Sequence, residues 1–270
     1  HSNVSHSSDL YSLVLLITGS HHLITFINQI QKVYQKWQEG YLPSHCLLCQ
    51  LPSQAKLICH FCHEAILTER HYCLHCGCGL SHSQAFCGEC LQHTFNFTQL
   101  HAIASYQAPF PALIKQLKYN HKLLYADLLG LLLASSIKQR YTTQQLQEID
   151  FLLPVPLHIA KHRKRGFNQA QLISDALIKH LPLPTMVDSP LIRNKFTHAQ
   201  EGLNRKQRTF NLKQAFSLNE QVSISLKGKY IVLIDDVVTT GATINSLCQC
   251  LLAAEVSRID VWCICRTELG

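Results

Sequence analysis

At 270 residues the chain has room for one sizeable domain plus a smaller module, and enough volume to bury a core. Hydrophobic residues make up 47% and charged residues 15%, which excludes a disordered or fibrous chain. The formal net charge is +7, and eleven Lys/Arg against three Asp/Glu fall between Leu157 and Lys213, so the excess sits in one segment and points to a polyanion such as phosphate, pyrophosphate or nucleic acid.

In chain order, the stretch LYSLVLLITG (residues 10–19) is apolar but too short to cross a bilayer, and no basic leader precedes it. The sole methionine is Met186, so residues 1–22 read as an extension on a processed, tagged or truncated end. A soluble cytoplasmic protein is expected. FINQIQKVYQKW (26–37) places Phe26, Ile30, Val33 and Trp37 on one face of an amphipathic helix, ended by Gly40 and Pro43. Residues 1–40 are assigned to this extension and helix.

Nine of thirteen cysteines lie between Cys46 and Cys90. CLLC (Cys46, Cys49) precedes CHFC (Cys59, Cys62); CLHC (Cys73, Cys76) precedes CGEC (Cys87, Cys90). Four C-x-x-C knuckles favour metal binding in a reducing compartment over disulfides. Two knuckles complete a tetrahedral thiolate site suited to structural Zn²⁺, so about two ions are expected in residues 41–94. Sequential and interleaved pairing of the knuckles both remain open at this point. Cys78 is a ninth thiol that could substitute for a neighbour. The module holds Lys56 and Arg70 against Glu64, Glu69 and Glu89; without a basic face, a scaffold or protein-docking role is favoured over a nucleic-acid clamp.

Residues 95–270 alternate strand and helix patterns, which predicts a mostly parallel sheet flanked by helices, an α/β domain. Strands are expected at 97–106, 150–156, 230–234 and 259–265. Two helical patterns follow Pro111, another covers FNQAQLISDALIKHL, and one covers 242–254. Cys248, Cys250, Cys263 and Cys265 alternate with apolar residues and are expected in the core.

The run YIVLIDDVVTTGATINSL asks for more than a strand and a capped helix, since a cap needs one Ser or Thr. Thr239, Thr240, Gly241, Ala242 and Thr243 offer hydroxyls and backbone N–H groups at a helix N-terminus, which suits a phosphate monoester. Asp235 and Asp236 cannot serve phosphate; ribose hydroxyls, or Mg²⁺ held partly through water, fit them. A P-loop nucleotidase would also place an acid after an apolar strand, but the chain has no G-x-x-x-x-G-K-[ST] run.

VLIDDVVTTGATI resembles the 5-phosphoribosyl-1-pyrophosphate (PRPP) loop of type I phosphoribosyltransferases. LIKQLKYNHK, LLPVPLHIAKHRKRGFNQAQLIS and RNKFTHAQEGLNRKQRTFNLKQAF are similar to segments of one branch, the competence-associated ComF family, over residues 41–267. The resemblance implies a phosphoribosyltransferase-like domain carrying an N-terminal double zinc ribbon with sequential pairing. It implies that Val238 to Thr243 hold the 5-phosphate and that Asp235 and Asp236 hold the ribose, with Mg²⁺ close by. Arg193, Lys195, Gln200 and Arg208 would belong to a mobile hood over pyrophosphate, with Arg163 and Arg165 completing the anionic pocket. Departing pyrophosphate gathers negative charge, which Arg, Lys and Mg²⁺ stabilise by about 3–4 kcal/mol per donor in comparable sites, while loop closure keeps water from the reactive sugar.

No residue set selects a particular acceptor. The leading expectation is therefore Mg²⁺-dependent chemistry on phosphoribosyl groups, linked by the resemblance to DNA uptake and natural transformation. The alternative is a non-catalytic PRPP sensor or single-stranded-DNA-binding protein that meets the uptake machinery through its zinc ribbon. Against DNA binding, Phe167, Phe196 and Phe210 are the aromatic residues among the basic ones. A purely structural zinc adaptor leaves the Thr-Gly loop unexplained.

Overall fold

Runs of aliphatic residues form the four strands of the main sheet: β1 (Gln99–Ser105), β2 (Phe151–Pro154), β5 (Tyr230–Val238) and β6 (Arg258–Arg266). A computed structural model describes residues 45–53, 56–67, 71–82, 84–92, 94–183, 190–193, 216–219 and 225–267. The expected helix over 26–37, and Lys195, Gln200 and Arg208, lie outside the described residues. The strand order is β1-β6-β5-β2, every pair parallel. Near-continuous burial along β5 and β6 is what a sheet covered on both faces requires.

The sequence suggests that β5 stops at Ile234, before the acids. It continues to Val238 because β6 is equally long: the pairing runs from Tyr230 opposite Arg258 to Val238 opposite Arg266 and takes in Asp235 opposite Cys263, while Asp236 N donates to the Asp235 carboxylate. The acids thus stand on a fixed strand and not on a loop.

Helices α3 (Phe110–Asn120), α4 (Leu124–Arg140), the single turn α5 (Thr143–Gln147), α6 (Ile159–Arg165), α7 (Gln169–Leu177) and α8 (Ala242–Ala253) connect the strands. α4 is apolar on nearly all sides and packs against α7 and β1; α7 in turn lies on β5 and β2. α5 opens with a capping box between Thr142 and Gln145. A separate antiparallel pair, β3 (Leu191–Arg193) and β4 (Phe216–Leu218), joins Leu191 to Leu218 and Arg193 to Phe216; β4 packs on α8. Cys248, Cys263 and Cys265 are in the core, and Cys250 is half-buried.

At the starting end of the central strands, buried Asp260 accepts from Tyr230 Oη (2.6 Å), Gln99 Nε2 (2.8 Å) and Arg258 Nη2 (3.0 Å). Such a network is a polar clamp on strand register, and its burial raises the proton affinity of Tyr230.

The chain divides into two compact units, residues 1–63 and 64–270. The knuckles of Cys73 and Cys87 belong to the same unit as the sheet. Among the described residues, no helix is long and apolar enough to cross a membrane.

Candidate functional site

The stretch R-G-F-N-Q is two helix ends joined. Gly166, at φ 81°, ends α6, and Asn168 caps α7 by accepting from Ala170 N at 3.0 Å while its Nδ2 holds Val155 O at 3.0 Å. That junction aims Gln169 at the end of β5, where its Nε2 donates to Asp236 Oδ1 at 3.0 Å. Arg165 Nη1 donates to Gln169 Oε1, and its guanidinium lies over the Tyr119 ring, 5.7 Å from the centroid.

Asp236 is buried, and Lys118 of α3 forms an ion pair with it. Asp235 accepts from Asp236 N at 2.8 Å. Burial, and then the neighbouring charge of Asp236, push Asp235 well above the usual carboxylate range, with Lys118 pulling the other way. Arg193 stands close enough for Asp235 to offset part of the effect of burial on its guanidinium, and it lies over the Phe216 ring at 5.2 Å. Lys161 has its proton affinity lowered by burial and then by Arg193, Arg165 and Lys118. Four cations therefore gather near two acids at the carboxyl end of the sheet, where ligands of open α/β folds bind. Arg163 is exposed on α6.

Lys118, Lys161 and Gln169 carry this geometry, yet the sequence reading gave them no role. Lys118 lies in LIKQLKYNHK, whose only signal was its likeness to a family segment. A cavity of about 310 Å³, lined by Tyr106, Pro111, Ile114, Lys115, Lys118 and Tyr119, opens beside the Lys118–Asp236 pair.

Beyond Val238, Thr239 and Thr240 are exposed and Gly241 sits at φ 77°, a conformation that suits glycine. Gly241 is the N-cap of α8 and supplies no side-chain acceptor. Thr240 Oγ1 accepts from Ala242 N at 3.3 Å. The loop thus presents hydroxyls and a helix N-terminus whose N-cap offers no side-chain acceptor, with Ala242 N taken up by Thr240.

The cysteines form two clusters, Cys46/Cys49/Cys59/Cys62 and Cys73/Cys76/Cys87/Cys90, with the sulfurs of each within 4.8 Å of one another. The pairing is sequential, and Cys78 stays outside the second set. Tetrahedral zinc with bonds of about 2.3 Å separates sulfurs by roughly 3.8 Å; Cys49 to Cys59 is 3.7 Å and Cys76 to Cys87 is 3.5 Å.

The two first knuckles share one geometry. Cys46 N donates to Leu51 O as Cys73 N does to Cys78 O, and Gln50 and Gly77 both take positive φ. The second knuckles lead into α1 (His60–Ile66) and α2 (Gly88–Gln92). Burial opposes ionisation of Cys46, but N–H donors from Cys49, Cys59 and Leu48 outweigh it and bring the thiol down to about 6, while burial and the other sulfurs push Cys62 up to about 12. Crowded sulfurs that cannot all ionise alone are what a dication resolves. Both clusters could hold zinc.

A parallel sheet with an acid pair at the end of β5 and a threonine-glycine turn into α8 defines a phosphoribosyltransferase-type domain. Residues 144–268 match the family model of the phosphoribosyl transferase domain. DNA utilization protein YhgH of Escherichia coli O157:H7 is 36% identical over 229 residues, 84% of this chain and 98% of that protein. Competence protein F of Haemophilus influenzae is 34% identical over 195 residues, 72% and 84% of the two chains. Competence protein ComFC of Bacillus subtilis is 36% identical over 110 residues, 39% of this chain and 41% of that one. The chain belongs to the ComF family. A hypoxanthine phosphoribosyltransferase from Staphylococcus aureus superposes with a TM-score of 0.33 at 13% identity, over 51% of this chain and 61% of that one, too distant to carry an argument.

Proposed function

We propose that this protein binds PRPP with Mg²⁺ and transfers, or acts on, its phosphoribosyl group. The observation that carries the reading is the acid pair on β5, ringed by Lys118, Lys161, Arg165 and Arg193 and followed directly by the exposed threonines of the α8 N-terminus.

Asp235 and Asp236 would accept from the ribose hydroxyls, and the hydroxyls and amides of residues 239–243 would hold the 5-phosphate. Lys161, Arg165 and Arg193 would face the pyrophosphate, whose charge grows as the bond to the anomeric carbon breaks. Two carboxylates with one lysine between them have capacity for a further cation, so the donor set fits Mg²⁺. When bound, Mg²⁺ supplies charge neutralisation on the leaving pyrophosphate. Lys195, Gln200 and Arg208 would close over it, as the family resemblance implies.

Calorimetry with PRPP and Mg²⁺ tests binding: saturable binding lost in the Asp235→Asn/Asp236→Asn double variant is expected, and no heat at millimolar PRPP would refute it. Labelled PRPP with a panel of nitrogen acceptors then reads turnover.

A second reading is supported by the names of the relatives, which speak of DNA utilization and competence. Here the protein senses PRPP without consuming it and holds single-stranded DNA through Arg205, Lys206 and Arg208. Filter binding against salt separates the two, since a phosphate-contacting groove gives a steep salt dependence that these substitutions reduce.

A further inference from the structure

Arg266 is 2% exposed at the last position of β6, and its guanidinium spans two carbonyls. Nε donates to Cys76 O at 3.1 Å and Nη1 to Val238 O at 3.1 Å. Cys76 is a thiol of the second cluster; Val238 is the residue before the threonine-glycine loop. A guanidinium keeps its charge and holds its donors in a rigid plane, so the two carbonyls stay at a fixed spacing.

A second connection runs through aromatic rings. His75, between two cluster cysteines, meets Phe95 and Phe97 edge-on at 5.7 and 5.4 Å, and its Nε2 is 3.0 Å from Phe97 O. Phe95 stacks on Phe97 at 5.0 Å. On its other side Phe95 reaches the loop, where a Cβ on Gly241 would stand 3.2 Å from its Cε1. Next to it, Asn96 N donates to Asn245 Oδ1 at 2.9 Å in the first turns of α8.

The cluster also sits tightly on β1. His75 O accepts from Leu100 N at 2.7 Å. Gly77 allows the approach: a Cβ there would lie 2.6 Å from Leu100 Cδ2 and 2.9 Å from its carbonyl oxygen.

We infer that the second cysteine cluster, once loaded with metal, is the rear wall of the threonine-glycine loop, with Arg266 and Phe95 as positioning residues that transmit metal occupancy to the loop. Around this cluster the buried side chains are chiefly the thiols themselves, and α2 buries none of its residues. Without a cation to hold four sulfurs together, little ties the Cys87–Cys90 knuckle to the Cys73–Cys76 knuckle seated on β1, and the cluster is expected to loosen. Their opening would remove Cys76 O from a buried Arg266 donor and the ring support from behind Gly241, leaving the loop free to relax. By linkage, a ligand that orders the loop must also tighten metal at this cluster. The consequence for ligand affinity rests on the phosphate reading of the loop; the mechanical link between metal and loop does not.

Hydrogen exchange on the full zinc-loaded chain tests the link directly. Cys87→Ser/Cys90→Ser empties the second cluster, and Cys59→Ser/Cys62→Ser empties the first as a matched control. Exchange of the amides of residues 239–245 is expected to rise about tenfold in the former and to change less than about twofold in the latter. Arg266→Lys, which keeps the charge but cannot span both carbonyls, is expected to keep both zinc ions and still raise loop exchange.

Should the serine variants fail to fold, zinc release from the unaltered chain to a chelator replaces them: saturating PRPP with Mg²⁺ is expected to slow one of the two release phases about tenfold. Loop exchange indifferent to the second cluster, or raised equally by emptying either one, overturns the inference. So does PRPP that binds but leaves both release phases unchanged. Absence of any PRPP binding alongside the expected exchange pattern refutes the phosphate reading and leaves the mechanical link standing.

Discussion

Lys118 of α3 and Asp236 of β5 form an ion pair in which the lysine side chain is 19% exposed and the carboxylate 4%. The pair joins the first helix of the sheet domain to the acid motif, and Gln169 takes the other carboxylate oxygen of Asp236. Burial and then the charge of Asp236 drive Asp235 toward its neutral form, whereas Asp236 is the acid held by Lys118 and Gln169, so the two acids stand in unequal surroundings before any ligand arrives.

Removing the lysine exposes what the pair contributes. Lys118→Met leaves a buried carboxylate with only Gln169, and the expected loss of unfolding free energy is about 3 kcal/mol, measured by urea denaturation at neutral pH. Unchanged stability would show that solvent already screens Asp236.

The inequality of the acids predicts proton release. Asp235 has its pKa raised in the folded protein, so near and below that raised value it is protonated, and a sugar held with Mg²⁺ requires it ionised. PRPP affinity should therefore rise with pH through the raised pKa. Calorimetry in buffers of different ionisation heat should detect up to about one proton released per PRPP, lost in Asp235→Asn.

A different pH response comes from His101. Burial and then Arg140 push its pKa down to about 3, with Nδ1 facing Arg140 and Nε2 at 2.9 Å from Ser136 Oγ. The unfolded chain takes up a proton near its ordinary value of 6.5 that the folded chain refuses. Stability should fall as pH drops from about 6.5 toward 3, by at most about 1.4 kcal/mol per pH unit. His101→Gln should flatten the profile in that window, read from denaturation midpoints at several pH values.

Asp260 separates architecture from chemistry. It pairs with Val232, nearer the start of the strands than Asp235, and is 0% exposed. Asp260→Ala strands the hydroxyls of Tyr230 and Tyr141 and the guanidinium of Arg258, and should cost about 3–5 kcal/mol of stability. PRPP affinity of the remaining folded protein should be unchanged in calorimetry at low temperature.

Metal analysis of protein purified without chelator should find about two zinc ions per chain. Cys62→Ser and Cys90→Ser should each reduce this by about one; finding none in the unaltered protein would end the zinc assignment.

By itself the sequence determined the parallel sheet, the positions of most elements and the eight clustered thiols. Those signals are local: aliphatic runs bounded by prolines and glycines, helical spacing, and C-x-x-C repeats whose geometry is set within a few residues. The ends of β5 were decided elsewhere, because the strand extends as far as β6 offers backbone partners, which carries Asp235 and Asp236 into the sheet. Tertiary structure decided that the knuckles pair sequentially, since near-even spacings leave that choice to three-dimensional packing. It alone brought Lys118 and Gln169 to one carboxylate and placed Cys76 and Val238 on one guanidinium. A charge on an amphipathic helix looks the same in sequence whether it meets water or a buried acid; only the packing of helices against strand ends distinguishes them, because the Coulomb energy depends on separation in space and on solvent access.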